Sequence, residues 1–147
     1  MSPGRRLPLT VEHALLGLLR QEPMHGYELH QRLLAPEGPG MTWRMKQAHV
    51  YALLGRLEGE GLIAGGSRPQ PSRPARRVFR LTEKGRRAFR DWVSTPVAEA
   101  RGVRQEFLLK LYFARREGLG LTRRLLDRQR QACREWLAIQ KGAADGG

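Results

Sequence analysis

The stretch KQAHVYALLGRLEGEGLI, residues 46–63, decides the fold of this chain. Its apolar residues recur three and four positions apart, which predicts an amphipathic helix from about Lys46 to Gly61. The residues of that face are Val50, Leu53, Leu54 and Leu57. The glycine after the last apolar turn stands where a helix stop is expected.

The opposite face of this helix is made of small residues, namely Ala48, Ala52, Gly55 and Gly59. A face that is merely solvated usually carries Glu and Lys. Small residues instead let a helix approach another surface closely. His49, Tyr51 and Arg56 flank this face and can donate hydrogen bonds to that surface.

Two shorter helices are predicted ahead of it. Residues 9–20 carry one apolar stripe, which the segment 22–26 interrupts, and residues 27–34 form a second amphipathic segment. Residues 36–40, with two Pro and two Gly, are typical of a turn. Residues 41–45 favour neither helix nor strand clearly.

A basic hairpin is predicted after the third helix. Residues 66–90 hold nine basic and one acidic side chain, out of a net charge of +13 for the whole chain. Residues 65–77 are rich in Gly, Pro and Ser, which indicates a loop. Apolar residues 62–64 before it and the alternating residues 77–81 after it predict two short strands, and Thr82 is placed to cap a following helix.

Three helices followed by a hairpin with a basic tip is the order of a winged helix-turn-helix. The expected fold is mostly α with a small two-stranded β-wing, in a domain spanning residues 1–95. Periodicity alone leaves other three-helix folds open, and the basic hairpin favours the winged helix. In that fold the third helix lies in the DNA major groove and the wing reaches phosphates or the minor groove.

Three segments resemble the PadR family of bacterial transcriptional regulators. They are HGYEL at 25–29, VYALLGRLEGEGLI at 50–63 and RLTEKG at 80–85, and the likeness covers roughly residues 8–90. The resemblance implies a homodimeric, DNA-binding repressor with an N-terminal winged helix and a C-terminal helical dimerisation region. Many members of the family respond to small aromatic compounds or drugs and others respond to no known compound, so the resemblance leaves open whether this chain has such an effector.

Residues 96–147 are predicted to form that dimerisation region. The segment 98–116 predicts a helix with Phe107, Leu108, Leu111 and Tyr112 on its apolar face. The segment 122–141 predicts a long charged helix whose apolar stripe is too thin to be stable alone in water. Its stripe must pack on the same subunit or on a partner, and a twofold dimer is the commonest solution. The tail 142–147 is expected to be disordered.

The candidate DNA-binding residues fall into two groups. On the helices they are Tyr27, Lys46, Gln47, His49, Tyr51 and Arg56, and on the wing they are Arg68, Arg73, Arg76 and Arg77. Each has a structural alternative: Tyr51 and Tyr27 as packing residues, His49 as a solvated side chain, and Arg56 as the partner of Glu60 at i+4. Lys46 and Gln47 at a helix N-terminus are well placed for phosphates.

Trp92 and Trp136 are candidate effector-binding residues, because a Trp at a dimer interface can stack on a flat aromatic ligand. Ordinary core or interface packing is the alternative. Cys133 lies on the apolar stripe of the last helix beside Arg130 and Arg134. It is either a buried, inert thiol or, if exposed, one with a pKa lowered by these neighbours.

Other classes of protein fit the sequence poorly. A single cysteine excludes an internal disulfide, and no two of the four His are spaced i+3 or i+4 for a helical metal site. No phosphate loop, nucleophile elbow or paired carboxylates are present, so we expect neither an enzyme nor a cofactor. No window is apolar enough to span a membrane, and we expect a cytoplasmic, nucleoid-associated protein. Two alternatives remain: a nonspecific nucleic-acid packaging protein, and an adaptor that has lost DNA binding.

Overall fold

The computed structural model describes the backbone of residues 6–35, 45–70, 73–98 and 103–145, and the side chains of residues 11–35, 45–66, 77–98 and 105–143. The predicted turn at 36–40 and most of the segment 41–45 lie outside these ranges. The elements in chain order are α1 (Arg6–Gln21), β1 (Met24–His25), α2 (Gly26–Leu34), α3 (Gln47–Gly59), β2 (Ile63–Gln70), β3 (Arg73–Leu81), α4 (Glu83–Ser94), α5 (Val103–Glu117) and α6 (Leu119–Asp145). The chain divides into two compact units, residues 1–90 and 91–147.

The first unit has the predicted winged-helix architecture, three helices followed by a hairpin. All four apolar residues of α3 are buried, and the small residues of the opposite face are exposed. After α3, Gly61 adopts a φ of +78°, a conformation that suits glycine and ends the helix where the sequence predicts. The mostly helical fold with a small antiparallel sheet is therefore confirmed.

The sheet is larger than the sequence indicates. Its strands lie in the order β1-β3-β2, all antiparallel, and the two-residue strand β1 pairs Met24 with Phe79. Residues 22–26, expected only to interrupt the helices, thus add a third strand. Phe79 and Leu81 are buried, as their alternation predicts.

The prediction of a loop over residues 65–77 is wrong for most of its length. β2 continues to Gln70, β3 begins at Arg73, and the two residues are paired. The pairing becomes irregular between Arg68 and Gln70, on either side of Pro69. Proline has no N–H to give to the ladder, so it disturbs the register locally without ending the strand.

Thr82 caps α4 as predicted. Its Oγ1 accepts a hydrogen bond from the Gly85 amide (3.0 Å) and donates to the Gly61 carbonyl (2.6 Å). A methyl group on Gly85 would overlap the Leu62 carbonyl, so the start of α4 packs directly on the chain that leaves α3. This cap fixes the end of β3 and therefore the base of the wing.

The second unit contains α5, α6 and the last residues of α4. The apolar face predicted for α5 is wrong: Leu109, Lys110, Phe113 and Ala114 are buried, whereas Leu108 is 44 % exposed. The reason is that Lys110 lies inside, where its Nζ donates to the Trp92 carbonyl (2.8 Å) and to that of Thr95. A charged residue inside rotates the buried face away from the one that apolar residues alone predict.

Helix α6 runs to Asp145, so the prediction of a disordered tail is wrong for residues 142–145. The thin stripe is confirmed. Leu125 and Gln129 are buried, but Leu126, Leu137 and Ile139 are 40 %, 65 % and 71 % exposed. Gln129 Oε1 accepts a hydrogen bond from the Val97 amide (2.6 Å), which ties α6 to the segment after α4.

Candidate nucleic-acid interface

A groove of about 750 Å³ lies in the first unit between α2, α3 and β3. It is lined by His25, Gly26, Tyr27, Glu28, Gln31, Gln47, Tyr51, Gly55, Arg77 and Phe79. The sequence predicts four of these, Tyr27, Gln47, Tyr51 and Arg77, as DNA-binding residues. The fold therefore brings together candidates that lie as much as 50 positions apart in the chain.

Two Tyr–Gln pairs form the polar rim of the groove. Gln31 Nε2 donates to the Tyr27 hydroxyl (3.0 Å) on α2, and Gln47 Nε2 donates to the Tyr51 hydroxyl (2.9 Å) on α3. Both pairs are spaced i, i+4 and so project from one side of their helix. Tyr27 is 54 % and Tyr51 43 % exposed, so the two phenols and amides can reach a partner in solution.

The position of Tyr51 depends on Gly26. A β-carbon added to Gly26 would lie less than 3.0 Å from the Tyr51 ring, so any larger residue would displace the ring. Tyr51 is thus a half-exposed ring lying across the start of α2. The packing alternative fits this contact with the start of α2, and the contact of Tyr51 with DNA stays a prediction.

The N-terminus of α3 is open towards solvent. Lys46, Gln47, Ala48 and His49 are all exposed, and the N-cap residue Lys46 makes no side-chain capping hydrogen bond. The His30 ring Nε2 lies 2.7 Å from the Met45 carbonyl, which fixes the chain as it enters the helix. The backbone N–H groups of the first turn and the helix dipole favour an anion here.

Arg56 contacts a residue that the sequence does not single out. Its Nη1 donates to Glu12 Oε1 at 2.9 Å, and the Glu12 side chain is 6 % exposed while that of Arg56 is 41 % exposed. The pair joins α3 to α1. Glu12 stands next to Val11 in the apolar stripe of α1, and a carboxylate at that position is the one signal in the sequence that a buried cation partner is needed.

Arg77 lies at the base of the wing and is held by α3. Its Nη2 donates to Glu58 Oε2 and to the Gly65 carbonyl (3.3 Å), and its guanidinium lies 5.1 Å from the centre of the Phe79 ring. The hydrogen bond from Arg77, with a smaller contribution from the Gly65 amide, keeps the pKa of Glu58 below its usual value. The backbone of Arg68, Arg73 and Arg76 belongs to the hairpin, and their side chains lie outside the described residues.

The match to known proteins agrees with this geometry. Residues 15–91 match the model of the Transcriptional regulator PadR-like family. This chain belongs to that family. The family consists of transcriptional regulators and not of enzymes, which confirms the prediction of a non-enzymatic protein.

Among relatives of this PadR-like chain, the Negative transcriptional regulator PadR of Bacillus subtilis (strain 168) is 31% identical over 106 residues, 71% of this chain and 56% of that protein. The Probable transcriptional regulator Rv1176c of Mycobacterium tuberculosis is 25% identical over 93 residues, 63% of this chain and 48% of that protein. The chain thus spans about half the length of these curated relatives.

Two solved structures of similar fold extend the comparison. Bacillus subtilis PadR in complex with operator DNA has a TM-score of 0.54 and 25% identity, over 92% of this chain and 78% of its own. The transcriptional regulator TA0346 of Thermoplasma acidophilum has a TM-score of 0.52 and 24% identity, over 61% of this chain and 81% of its own. The second supports the fold alone.

The candidate effector residues of this PadR-like chain lie in its second unit. Trp92 is half-buried, with its ring 5.0 Å from Lys110 Nζ and edge-on to Phe113 at 6.4 Å between centres. Trp136 is half-buried on α6, as is Cys133. Burial lowers the pKa of Lys110, and the neighbouring Glu106 carboxylate opposes that shift.

Neither a metal site nor a membrane segment is found in the part of the chain that the structure describes. The described residues contain no group of three or more His, Cys, Asp or Glu that could hold a metal ion. In the same residues, no helix is both long and apolar enough to cross a bilayer.

Proposed function

We propose that this PadR-family chain is a homodimeric repressor that binds a pseudo-palindromic operator in the bacterial nucleoid. One observation carries the proposal: α3 presents an exposed face of small residues, flanked by Gln47, His49 and Tyr51, directly beside a basic hairpin. A relative that is 31% identical is named as a negative regulator, and a protein of similar fold was solved with operator DNA.

In this proposal α3 reads the major groove. The exposed Ala48, Ala52 and Gly55 would let the helix backbone approach the base edges, and His49 and Tyr51 would hydrogen bond to those edges. Lys46 and Gln47 bind phosphate at the helix N-terminus. This arrangement gives sequence discrimination to a helix that carries few charges of its own.

Phosphate contacts come mainly from the wing. Residues 66–90 have a net charge of +8 by their nine basic and one acidic side chains, and the paired backbones of β2 and β3 hold Arg68, Arg73 and Arg76 along one hairpin. Contacts of this kind set affinity and orientation and do not depend on sequence. Tyr27 is exposed on α2, and in this proposal it contacts the DNA backbone.

A second copy of the chain is the proposed partner of α6. The exposed Leu126 and Leu137 are eleven residues apart, about three helical turns, and so lie on one side of this 27-residue helix. They give that side an apolar surface that a partner helix would cover. A twofold dimer would present two α3 helices to half-sites about 34 Å apart. A small aromatic compound bound near Trp92 and Trp136 is the proposed effector that would release the operator.

Selection of bound sequences from a random double-stranded DNA pool at ~150 mM salt tests the proposal, because nonspecific affinity is weak at that concentration. We expect an inverted repeat to be enriched. Tight low-salt binding without enrichment would instead favour the packaging function, for which the net charge of +13 is the main argument. Absence of binding at every salt concentration would favour the adaptor.

The wing is tested by the double substitution Arg73→Ala with Arg76→Ala. Loss of two phosphate contacts per subunit should weaken binding to all sequences and reduce the slope of log Kd against log salt by about 2 units for each subunit, or about 4 units for the dimer. The matched control is Arg123→Ala with Arg124→Ala, which removes the same charge from exposed positions on α6. An unchanged slope in the wing variant, or an equal change in the control, would contradict the assignment.

A further inference from the structure

Arg77 is engaged at the junction of the recognition helix and the wing. Its Nη2 atom donates to both Glu58 Oε2, near the end of α3, and the Gly65 carbonyl on β2, while the Gly65 amide donates to Glu58 Oε2 (3.2 Å). The three residues therefore form a closed set of hydrogen bonds between α3, β2 and β3. We call this set the wing clamp.

The wing clamp requires a glycine at position 65, because a larger residue would overlap the Arg77 side chain. A β-carbon on Gly65 would lie 2.5 Å from Arg77 Nη2 and 3.0 Å from the Phe79 ring. Phe79 is buried and supports the guanidinium from below at 5.1 Å. The guanidinium is thus held by a carboxylate, a carbonyl and a ring, with glycine providing the space.

We propose that Arg77 is a positioning residue, which acts through Glu58 and Gly65 to fix the angle between the wing and α3. The proposal rests on the proposed function, because that angle matters only if both elements contact one DNA duplex. Helix α3 and the hairpin must reach the major groove and the flanking phosphates at the same time. A wing free to change its angle binds phosphates equally well on every sequence, but it loses the register that lets α3 discriminate between sequences.

Separate removal of Glu58 and of Arg77 tells whether Arg77 positions the wing or contacts DNA phosphate directly. If Arg77 bound phosphate and Glu58 only competed for it, removing Glu58 would tighten binding to every DNA and removing Arg77 would weaken it. If Arg77 positions the wing, both removals lower the ratio of specific to nonspecific affinity. Glu58→Ala and Arg77→Gln change the net charge in opposite directions, so electrostatics alone does not produce a shared effect.

Gly65→Ala adds a probe that leaves the charge unchanged. Its methyl group forces the Arg77 guanidinium out of place, whereas at the neighbouring Gly66 a β-carbon meets nothing within 4 Å among the described residues. Gly66→Ala is therefore the matched control. Arg80→Gln is the control for Arg77→Gln, because Arg80 is exposed on the same strand.

The experiment measures Kd for the duplex enriched from the random pool and for a duplex of random sequence, at one salt concentration. We expect Glu58→Ala, Arg77→Gln and Gly65→Ala each to lower the ratio of the two affinities about fivefold, the upper value for a partly exposed ion pair. Gly66→Ala and Arg80→Gln should leave it within about twofold. An equal rise in affinity for both duplexes in Glu58→Ala, which leaves their ratio unchanged, or an unchanged ratio in Gly65→Ala, would overturn the proposal.

Amide hydrogen exchange, measured without DNA, tells whether the wing-clamp proposal alone is wrong or the proposed function is wrong as well. The Gly65 amide, which donates to Glu58, should exchange faster in Glu58→Ala and Arg77→Gln, while the core of α3 keeps its protection. If the wild type enriches no sequence, the proposed function fails and the specificity role fails with it. If the wild type enriches a sequence but Gly65 exchange is the same in all variants, only the wing clamp is refuted.

Discussion

Replacement of Arg56 by Met tests how much of the basic charge of this chain serves the fold and not DNA. Arg56 Nη1 lies 2.9 Å from Glu12 Oε1, and the Glu12 side chain is only 6 % exposed. The substitution keeps the apolar stem of Arg56 and removes the charged partner of a buried carboxylate. It therefore isolates the energy of one contact between α1 and α3.

The expected loss of stability follows from the burial of the two partners. A hydrogen bond to a charged group contributes about 1.5–3 kcal/mol, and losing one partner of a fully buried ion pair costs ~3–5 kcal/mol. Because the Arg56 side chain is 41 % exposed, solvent screens the pair and the lower range applies. We expect the free energy of unfolding to fall by about 2 kcal/mol.

Urea unfolding at one fixed protein concentration measures this loss, since the stability of the proposed dimer would depend on concentration. Arg87→Met is the control, because it removes the same charge from an exposed position on α4. In a double-mutant cycle with Glu12→Gln, we expect a coupling energy of at least ~1 kcal/mol. A loss below about 0.5 kcal/mol, together with a flatter salt dependence of DNA binding, would refute the structural role of Arg56 and favour a phosphate contact.

Two further predictions concern Gly26 and Lys110. Gly26→Ala should displace the Tyr51 ring, lower stability by about 1–3 kcal/mol and weaken specific DNA binding. Urea unfolding and operator titration measure these effects. Gly59→Ala is the control for stability, because its methyl group meets no described residue within 4 Å, and it should not destabilise the fold. Burial lowers the pKa of Lys110 below its ordinary 10.5. As the pH approaches 10.5, Lys110 therefore keeps its proton more often in the unfolded chain than in the folded one. The stability of the wild type relative to Lys110→Met should therefore rise with pH as 10.5 is approached, and a flat or falling difference in urea unfolding would contradict this.

The sequence predicts what depends on short-range periodicity. The buried face of α3 repeats every three to four residues and the strand around Phe79 alternates, so both are visible without a structure. β1 has two residues, too few to show any period, and it exists because β3 offers it a partner. The hairpin is longer than predicted for a similar reason, since pairing across the strands overrides the local preference of Gly and Pro.

The ion pairs of the site could not be predicted from the sequence. Glu12 and Arg56 are 44 positions apart, and Glu58 and Arg77 are 19 apart, so no local pattern links them. Lys110 misled the prediction for α5 in a related way. Glu106 is a local partner at i−4, but the Trp92 and Thr95 carbonyls that hold the Lys110 amine inside lie 18 and 15 positions away in the chain. In each case the fold brings a charged group next to a partner that is distant in the sequence.

These pairs change what the net charge of +13 says about DNA binding. Arg77 lines the groove and Arg56 lies on α3 beside the lining residue Gly55. Both count towards that charge, yet their guanidinium groups already donate to Glu58 and Glu12. Each would have to give up a carboxylate before it could bind a phosphate, and that exchange gains little energy because one charged hydrogen bond replaces another. The slope of log Kd against log salt is proportional to the number of phosphate contacts. It should therefore correspond to the number of arginines towards the tip of the wing, and not to the number of all basic side chains near the groove. Counting charge in the sequence overestimates the phosphate contacts of this face by the number of arginines that the fold uses for itself.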